Sequence, residues 1–214
     1  MTQLYILDDR LLFGSDYGRA LVRGCAPRND DDGLLHILRT GPFVPPVYIG
    51  GPGDNLLVSD SFRAILESSA LAPFTFRETV YDKTVDVPWH TWDLNADEPE
   101  SYPASYEPDG YIFDLPHDDA IEASMERIWE VVLDRPPCNV ISGDHIADVT
   151  AELKTGYGYP QLFYGSQYAP RFPLPIVGPE GMDWFVRHAG EWIGFRKLKL
   201  EYKKEVVYPS GPSR

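Results

Sequence analysis

The sequence predicts an α+β fold with mixed or antiparallel sheets, a few packed helices and two closely associated halves. The chain has 214 residues, of which 43% are hydrophobic and 13% aromatic, and this composition is sufficient for a substantial core. Residues 56–80 carry strand, helix and strand signals in succession, and similar signals resume at Tyr111. The intervening stretch is rich in proline, tyrosine and acidic residues and has neither helical nor strand periodicity.

The segment from residue 56 to residue 80 is the clearest folding unit. Ser59 or Asp60 can accept hydrogen bonds from the free N–H groups of a helix, in which Phe62 and the residues three and four positions later share an apolar face. Residues 74–79 then alternate between apolar and polar, which is typical of a strand with one buried face. This unit predicts a scaffold rather than a chemical site.

Apolar runs and helix-capping residues predict the remaining elements. Strands are expected at residues 3–7, 34–38, 47–49, 111–115, 138–141, 161–164, 174–177 and 197–203. Helices are expected from Asp118 or Asp119 to about Leu133, from Ser142 or Asp144 to about Leu153, and from Pro179 onward. In the first of these helices, helical spacing would place Glu122, Glu126 and Glu130 together on one exposed face.

These elements predict a division of the chain into two halves. Residues 1–95 would form an N-terminal α+β half and residues 111–208 a C-terminal α+β half. Residues 96–110 would form an acidic loop or linker rich in proline and tyrosine, because a stretch of that length without periodicity is unusual inside a compact unit. Residues 209–214 would form a tail.

The charge is strongly negative and unevenly distributed. The net charge is −14, and the segment from Asp82 to Asp134 contains 15 acidic residues against two basic ones, a net charge of −13. This balance argues against nucleic-acid binding, which requires clustered lysine and arginine. The acidic segment is either a solvated surface or a docking surface for a basic partner, whose approach it would accelerate.

If the acidic segment binds a partner, its carboxylates and aromatic side chains are the candidate contacts. Aromatic side chains often dominate binding energy, although tryptophan is also a common core residue. The aromatic candidates are Trp89, Trp92 and Tyr102. The acidic candidates are Asp93, Asp97, Glu98, Glu100, Glu107 and Asp109 in the loop, and Glu122, Glu126 and Glu130 in the predicted helix.

Signals for catalysis or metal binding are weak, and we expect no catalytic residue, no metal and no cofactor. One set of side chains could bind a divalent metal, although its members are equally suited to capping helices. This set comprises His117, Asp118, Asp119, Asp144, His145 and Asp148. It leaves a metal-dependent hydrolase that uses His117, Asp118, Asp144 and His145 as an alternative function.

Other potential motifs are incomplete. The sequence Asn29–Gly33 lacks the alternating ligands and final glutamate of a calcium loop and predicts a polar turn. Residues 50–55 contain three glycines but not the lysine of a phosphate-binding loop. Cys138 lies in an apolar run, which favours a structural thiol over a nucleophile paired with His145.

The expected location is the cytoplasm. The N-terminus shows no secretory signal, and the sequence contains no apolar run close to 18 residues, so no association with a membrane is expected. Cys25 and Cys138 are isolated in sequence and form no zinc-binding pair, so both are expected to be free thiols.

The folding unit at residues 56–80 also resembles a known group of proteins. Its apolar positions resemble the V-S-x-x-F-x-x-x-L…F-x-x-V run of the DUF1629 and Imm43-like bacterial immunity proteins and the related double-CXXCG group, without the cysteine pairs of the latter. The matching positions are Val58, Ser59, Phe62, Leu66, Leu71, Phe74 or Phe76, and Val80.

This resemblance implies an antitoxin that binds and neutralises a toxin encoded beside it. The implied partner is a cognate toxin domain, and the acidic segment favours a basic one. The resemblance supplies no catalytic residues, and the sequence does not indicate the oligomeric state. A third possibility is an adaptor that uses the same acidic surface on a partner other than a toxin.

Overall fold

The structure is a computed structural model, which describes residues 3–10, 21–50, 55–71, 73–93, 110–142, 149–167 and 173–207. Twelve strands lie in these ranges. They are β1 (Tyr5–Asp9), β2 (Leu35–Gly41), β3 (Val47–Gly50), β4 (Asn55–Ser59), β5 (Thr75–Asp86), β6 (Ile128–Val132), β7 (Cys138–Ser142), β8 (Val149–Lys154), β9 (Leu162–Gln167), β10 (Pro173–Val177), β11 (Ile193–Lys197) and β12 (Lys199–Lys203).

The helices of the described residues are short. They are α1 (Asp60–Glu67), α2 (Gly110–Asp114), α3 (Asp119–Ser124) and α4 (Pro179–Ala189), with a single 3-10 turn at Trp89–Thr91. Residues 21–23 are also helical. Within the described ranges, no helix has the length and apolar character needed to cross a membrane.

The strands form two mixed sheets, and the predicted α+β fold is confirmed. The larger sheet has the order β11-β1-β10-β9-β7-β8-β12, and the smaller has the order β2-β5-β6-β4-β3. Most neighbours are antiparallel, while β2/β5, β7/β9 and β8/β12 are parallel. The two sheets are associated, in agreement with the expectation of two closely associated halves.

A shared hydrophobic core joins the two sheets. It includes Val58 and Val131 from the smaller sheet and Leu7 and Val177 from the larger one. Helices α1 and α4 extend this core through aromatic contacts, because the Phe62 ring lies 5.7 Å from the Trp184 ring and 6.5 Å from the Phe185 ring. Such aromatic pairs add to the stabilisation that burial alone provides.

Sheet membership does not follow the predicted division at residues 95 and 110. Strand β1 lies in the larger sheet, between β10 and β11, although it belongs to the N-terminal segment. Strand β6 lies in the centre of the smaller sheet, between β5 and β4, although it belongs to the C-terminal segment. Most of the predicted linker, together with the predicted tail, falls outside the described residues.

Three predicted elements were wrong. Residues 111–115 were expected to form a strand, but α2 occupies most of them. The helix expected to reach Leu133 ends at Ser124, and Ile128–Val132 forms β6. The helix expected to end near Leu153 is replaced at its C-terminal part by β8. For β6 and β8, pairing with neighbouring strands determined the outcome, because β6 pairs with β4 and β5, and β8 pairs with β7 and β12.

Candidate functional site

A groove of about 550 Å³ lies between the middle of β5, helix α3 and the start of β6. Acidic side chains and apolar side chains both contribute to it. The groove is lined by Glu78, Thr79, Val80, Tyr81, Asp119, Glu122, Ala123, Met125, Arg127, Ile128 and Trp129. Its lining falls largely within the acidic segment identified from sequence.

The groove forms because β5 changes partner along its length. Residues Thr75–Glu78 pair with β6, whereas Thr79–Asp86 pair with β2 on the other side. Beyond Glu78 the backbone pairing of β5 with β6 ends, and the Thr79 hydroxyl donates to the Ile128 carbonyl at 2.7 Å. Helix α3 packs against β5 and forms the facing wall.

Hydrogen bonds at the start of α3 fix its position on β5. The Asp118 carboxylate caps the helix by accepting from the N–H groups of Ala120 and Ile121, each at 2.9 Å. The Asp118 N–H donates to the Thr84 carbonyl at 2.8 Å, which ties the cap to β5. Gly41 permits the close approach of the helix, since a Cβ there would lie 2.6 Å from the Ile121 side chain.

Three carboxylates give the groove a negative potential. Glu78 lies on the β5 wall, and Asp119 and Glu122 lie on the α3 wall. The Glu78 side chain is 63% exposed and the Asp119 side chain is fully exposed, so both are available to a partner. Arg127 reaches Glu78 at 3.3 Å from the rim, but at 73% exposure this pair is weak and can exchange.

Apolar and aromatic groups add to the lining between the acidic walls. Ile128 is 2% exposed, and the half-buried Trp129 donates from its indole N–H to Asp60 Oδ1 at 2.9 Å. The Tyr81 hydroxyl donates to the Glu126 carbonyl at 2.7 Å. Burial raises the pKa of Tyr81 above its usual value, so its hydroxyl remains a donor at neutral pH.

The three glutamates predicted to share a helix face are separated in the structure. Only Glu122 lies in the groove lining. Glu126 accepts from the Ser61 N–H at 2.9 Å and so helps to cap α1. Glu130 is 4% exposed and lies between Arg28 at 2.6 Å and Arg77 at 3.3 Å. The prediction of one shared acidic face was wrong because β6 replaces the second half of the expected helix.

The aromatic candidates also differ in their surroundings. Trp89 is fully buried, and its indole N–H donates to Thr40 Oγ1 at 3.1 Å, so it is a core residue. Trp92 is half-buried and packs 5.9 Å from the Tyr111 ring. Asp93 is exposed. The remaining loop candidates lie outside the described residues: Asp97, Glu98, Glu100, Tyr102, Glu107 and Asp109.

The described part of the histidine and aspartate cluster considered for metal binding forms a chain of hydrogen bonds between β5 and the start of α3. Thr84 N–H donates to His117 Nδ1 at 3.1 Å, so the ring proton lies on Nε2, which donates to Asp119 Oδ1 at 2.9 Å. In the described ranges, no group of three or more potential ligands could hold a metal. Asp144, His145 and Asp148 lie outside those ranges.

The segment compared with a calcium loop is a polar turn, as predicted. Asn29 Oδ1 accepts from Asp31 N–H at 2.8 Å, and Asp32 Oδ1 accepts from Leu34 N–H at 2.8 Å. Gly33 has a φ of 71°, which favours glycine at this position. The Asp32 carboxylate of this turn bonds to His36, the first polar side chain of β2.

His36 links this turn to β5. Its Nε2 lies 2.9 Å from Asp32 Oδ2, and its Nδ1 lies 2.8 Å from Asp82 Oδ1. Because ionised carboxylates only accept hydrogen bonds, this arrangement favours the protonated imidazole, in which both ring nitrogens donate. The hydrogen bond to Asp32, followed by that to Asp82, raises the pKa of His36, while His36 lowers the pKa of Asp32.

Neither cysteine forms a disulfide among the residues that the structure describes. Cys138 is fully buried, and burial raises its pKa to about 12, which keeps it protonated at neutral pH. A protonated thiol is a poor nucleophile, so Cys138 serves the core of the larger sheet. Cys25 is half-buried beside β2, where its N–H donates to the Leu38 carbonyl at 2.9 Å.

Comparisons with models of protein families, with curated proteins and with solved structures gave no match. The candidate site is therefore described by its own geometry and charge.

Sequence reasoning missed part of the groove. Glu78 and Arg127 were not proposed as contacts, and Met125 and Trp129 lie in the segment that was predicted to be a helix. The signal that could have located β6 is its composition, since Ile128–Val132 holds three β-branched residues and a tryptophan. The change of strand partner after Glu78 leaves no such local signal.

Proposed function

We propose that this protein is an immunity protein that binds and neutralises a basic bacterial toxin through its acidic surface. The observation that carries the proposal is the groove between β5, β6 and α3. Three of its lining side chains are carboxylates from two different walls: Glu78, Asp119 and Glu122. The resemblance of residues 56–80 to bacterial immunity proteins supplies the class of partner.

Charge supports binding rather than catalysis. The net charge of −14 favours rapid association with a cationic surface, because opposite charges steer two proteins together. The groove also combines carboxylates with a tryptophan and a methionine, and aromatic and methionine side chains are enriched at protein interfaces. Occlusion of the toxin's active surface would then neutralise it.

The proposed toxin is the C-terminal domain of a protein encoded by a gene adjacent to this one. Expression of that domain alone should arrest bacterial growth, and coexpression of this protein should restore it. The catalytically inactive form of the domain should copurify with this protein. The proposal fails if the domain is not toxic, or if its toxicity persists when this protein is present at equal or greater abundance.

A further inference from the structure

We propose that Arg39 and Tyr48 form a buried binding site for a small carboxylate inside the smaller sheet. Both side chains are fully buried, and both have polar atoms without a hydrogen-bond partner among the described residues. These atoms are Nε and Nη2 of Arg39 and the hydroxyl oxygen of Tyr48. Buried polar groups are almost always hydrogen-bonded, so two neighbouring groups without partners indicate a bound ligand. This inference is independent of the proposed antitoxin function.

The site lies where the two edge strands of the smaller sheet approach each other. Arg39 belongs to β2 and Tyr48 to β3, and these strands stand at opposite ends of the strand order. The Arg39 Cζ atom nevertheless lies 4.9 Å from the centre of the Tyr48 ring, so the sheet curls and brings its two edges together. All five strands contribute to the hydrophobic cluster that contains Tyr48. The other members from these strands are Leu35, Ile37, Leu57, Val85 and Ile128.

The contacts of Arg39 within the described ranges leave one edge of its guanidinium for a ligand. Nη1 donates to the Val22 carbonyl at 2.5 Å, and the Tyr48 ring faces the guanidinium in a cation–π arrangement. Neither contact uses Nε or Nη2, which present parallel N–H bonds on the same edge of the group. Two parallel N–H donors match the two oxygens of a carboxylate, as in bidentate arginine–carboxylate pairs.

A carboxylate would also balance the buried charge of Arg39. A guanidinium stays protonated in proteins, and a buried charge is costly unless it is paired. Asp9, whose charge acts on Tyr48, is already bonded to Arg23 and to the Ile49 N–H. Burial raises the pKa of Tyr48 to about 12, against the effect of the Arg39 charge, so its hydroxyl remains protonated and can donate to an anion.

The enclosure of the site favours a small ligand. The atoms of Arg39 and Tyr48 that would bind it are closed to solvent, so a ligand would enter when the sheet opens locally. Formate is the smallest anion that has both carboxylate oxygens, and it is therefore the suitable probe. Chloride has the same charge without the paired oxygens and serves as the matched control.

The Nε–H resonance of Arg39 offers a direct test. The full-length protein, labelled with 15N at its arginines, would be titrated with sodium formate at constant ionic strength and followed by NMR. A parallel titration would use sodium chloride. Arg39→Lys identifies the resonance and keeps the positive charge while removing the paired donors. The Nε–H of Arg63, which donates to Glu67 at 3.1 Å on α1, serves as an internal reference.

We expect formate to shift the Arg39 resonance and leave the Arg63 resonance unchanged, and chloride to shift neither. Tyr48→Phe keeps the ring and removes the hydroxyl, so it should weaken formate binding about fivefold, the effect of one hydrogen bond. Tyr157→Phe makes the same change on an exposed ring and should leave the affinity unchanged. Formate should also raise the Tm of the wild type and leave that of Arg39→Lys unchanged.

The inference is overturned if formate does not shift the Arg39 resonance, if chloride shifts it equally, or if Tyr48→Phe binds formate as tightly as Tyr157→Phe. A crystal structure grown with formate in which water alone bonds to Nε and Nη2 of Arg39 would overturn it as well. If Arg39→Lys does not fold, the resonance can be assigned through bonds in the wild type, and the comparison of the two tyrosine variants decides.

Discussion

Glu130 illustrates how one residue holds distant parts of the chain together. Its carboxylate is bonded by Arg28, which lies 102 positions away, and by Arg77 on the neighbouring strand. Removal of one partner from a buried ionic group leaves the other charges unpaired, and this lowers the free energy of unfolding. Glu130 is therefore a stabilising residue rather than a contact for a partner.

Glu130→Gln keeps the shape of the side chain but removes its charge and turns an N–H donor toward one arginine. We expect the free energy of unfolding to fall by about 2 kcal/mol, measured by chemical denaturation. Glu67→Gln, which alters an exposed pair with Arg63 on α1, should cost less than about 0.5 kcal/mol. Equal effects of the two substitutions would show that the buried triad contributes no special stability.

His36 makes stability depend on pH. The pKa of His36 is raised in the folded state. Its protonation therefore contributes fully to the free energy of unfolding below about pH 6.5, the usual pKa of histidine, and this contribution is lost as the pH rises through the higher folded pKa. The free energy of unfolding of the wild type should therefore fall as the pH rises above about 6.5, and His36→Gln should lack this component. A constant difference between the two proteins across that range would contradict the protonated bridge.

At the scale of elements, β6 is the strand on which the smaller sheet depends. It pairs with β4 on one side and β5 on the other, so without it the sheet separates into β2-β5 and β3-β4. A fragment of residues 1–95 lacks β6 and should show no cooperative unfolding transition. The full chain should unfold in one transition when followed by both circular dichroism and tryptophan fluorescence. The reason is that β1, from the N-terminal segment, lies in the larger sheet, and β6, from the C-terminal segment, lies in the smaller one.

A cooperative transition in the 1–95 fragment would contradict this view. The complementary fragment of residues 111–214 lacks β1, which lies between β10 and β11, and should be impaired for the same reason. Separate folding of either fragment would mean that the strand it lacks, β6 or β1, is not needed for folding.

Elements with strong local signals could be predicted from sequence, whereas those defined by distant pairing could not. Helix α1 follows from the Ser59 cap, whose Oγ accepts from Phe62 N–H, and α4 follows from Pro179 in its first turn. The apolar residues of β6 also fit helical spacing, and the partners that select the strand lie on β4 and β5. The groove was missed for the same reason, although its acidic character was visible in the sequence.

At the scale of the whole molecule, the excess negative charge and the two-sheet scaffold have separate roles. The core joins the sheets through apolar contacts that do not depend on charge, whereas a net charge of −13 lies between Asp82 and Asp134. Binding to a basic partner should therefore weaken as salt is added, because exposed charges are screened beyond about 8 Å at physiological ionic strength. The stability of the free protein should change less with salt than its affinity does.

The most direct test of the central claim is the affinity of the purified toxin domain for charge-reversed variants, measured by calorimetry. Glu78→Lys combined with Glu122→Lys should weaken binding at least about tenfold, because both carboxylates of the groove become repulsive. Glu191→Lys combined with Glu205→Lys changes the net charge equally at exposed positions outside the groove and should have a small effect. Equal losses in both variants, or no loss in either, would contradict a role for the groove in binding the toxin.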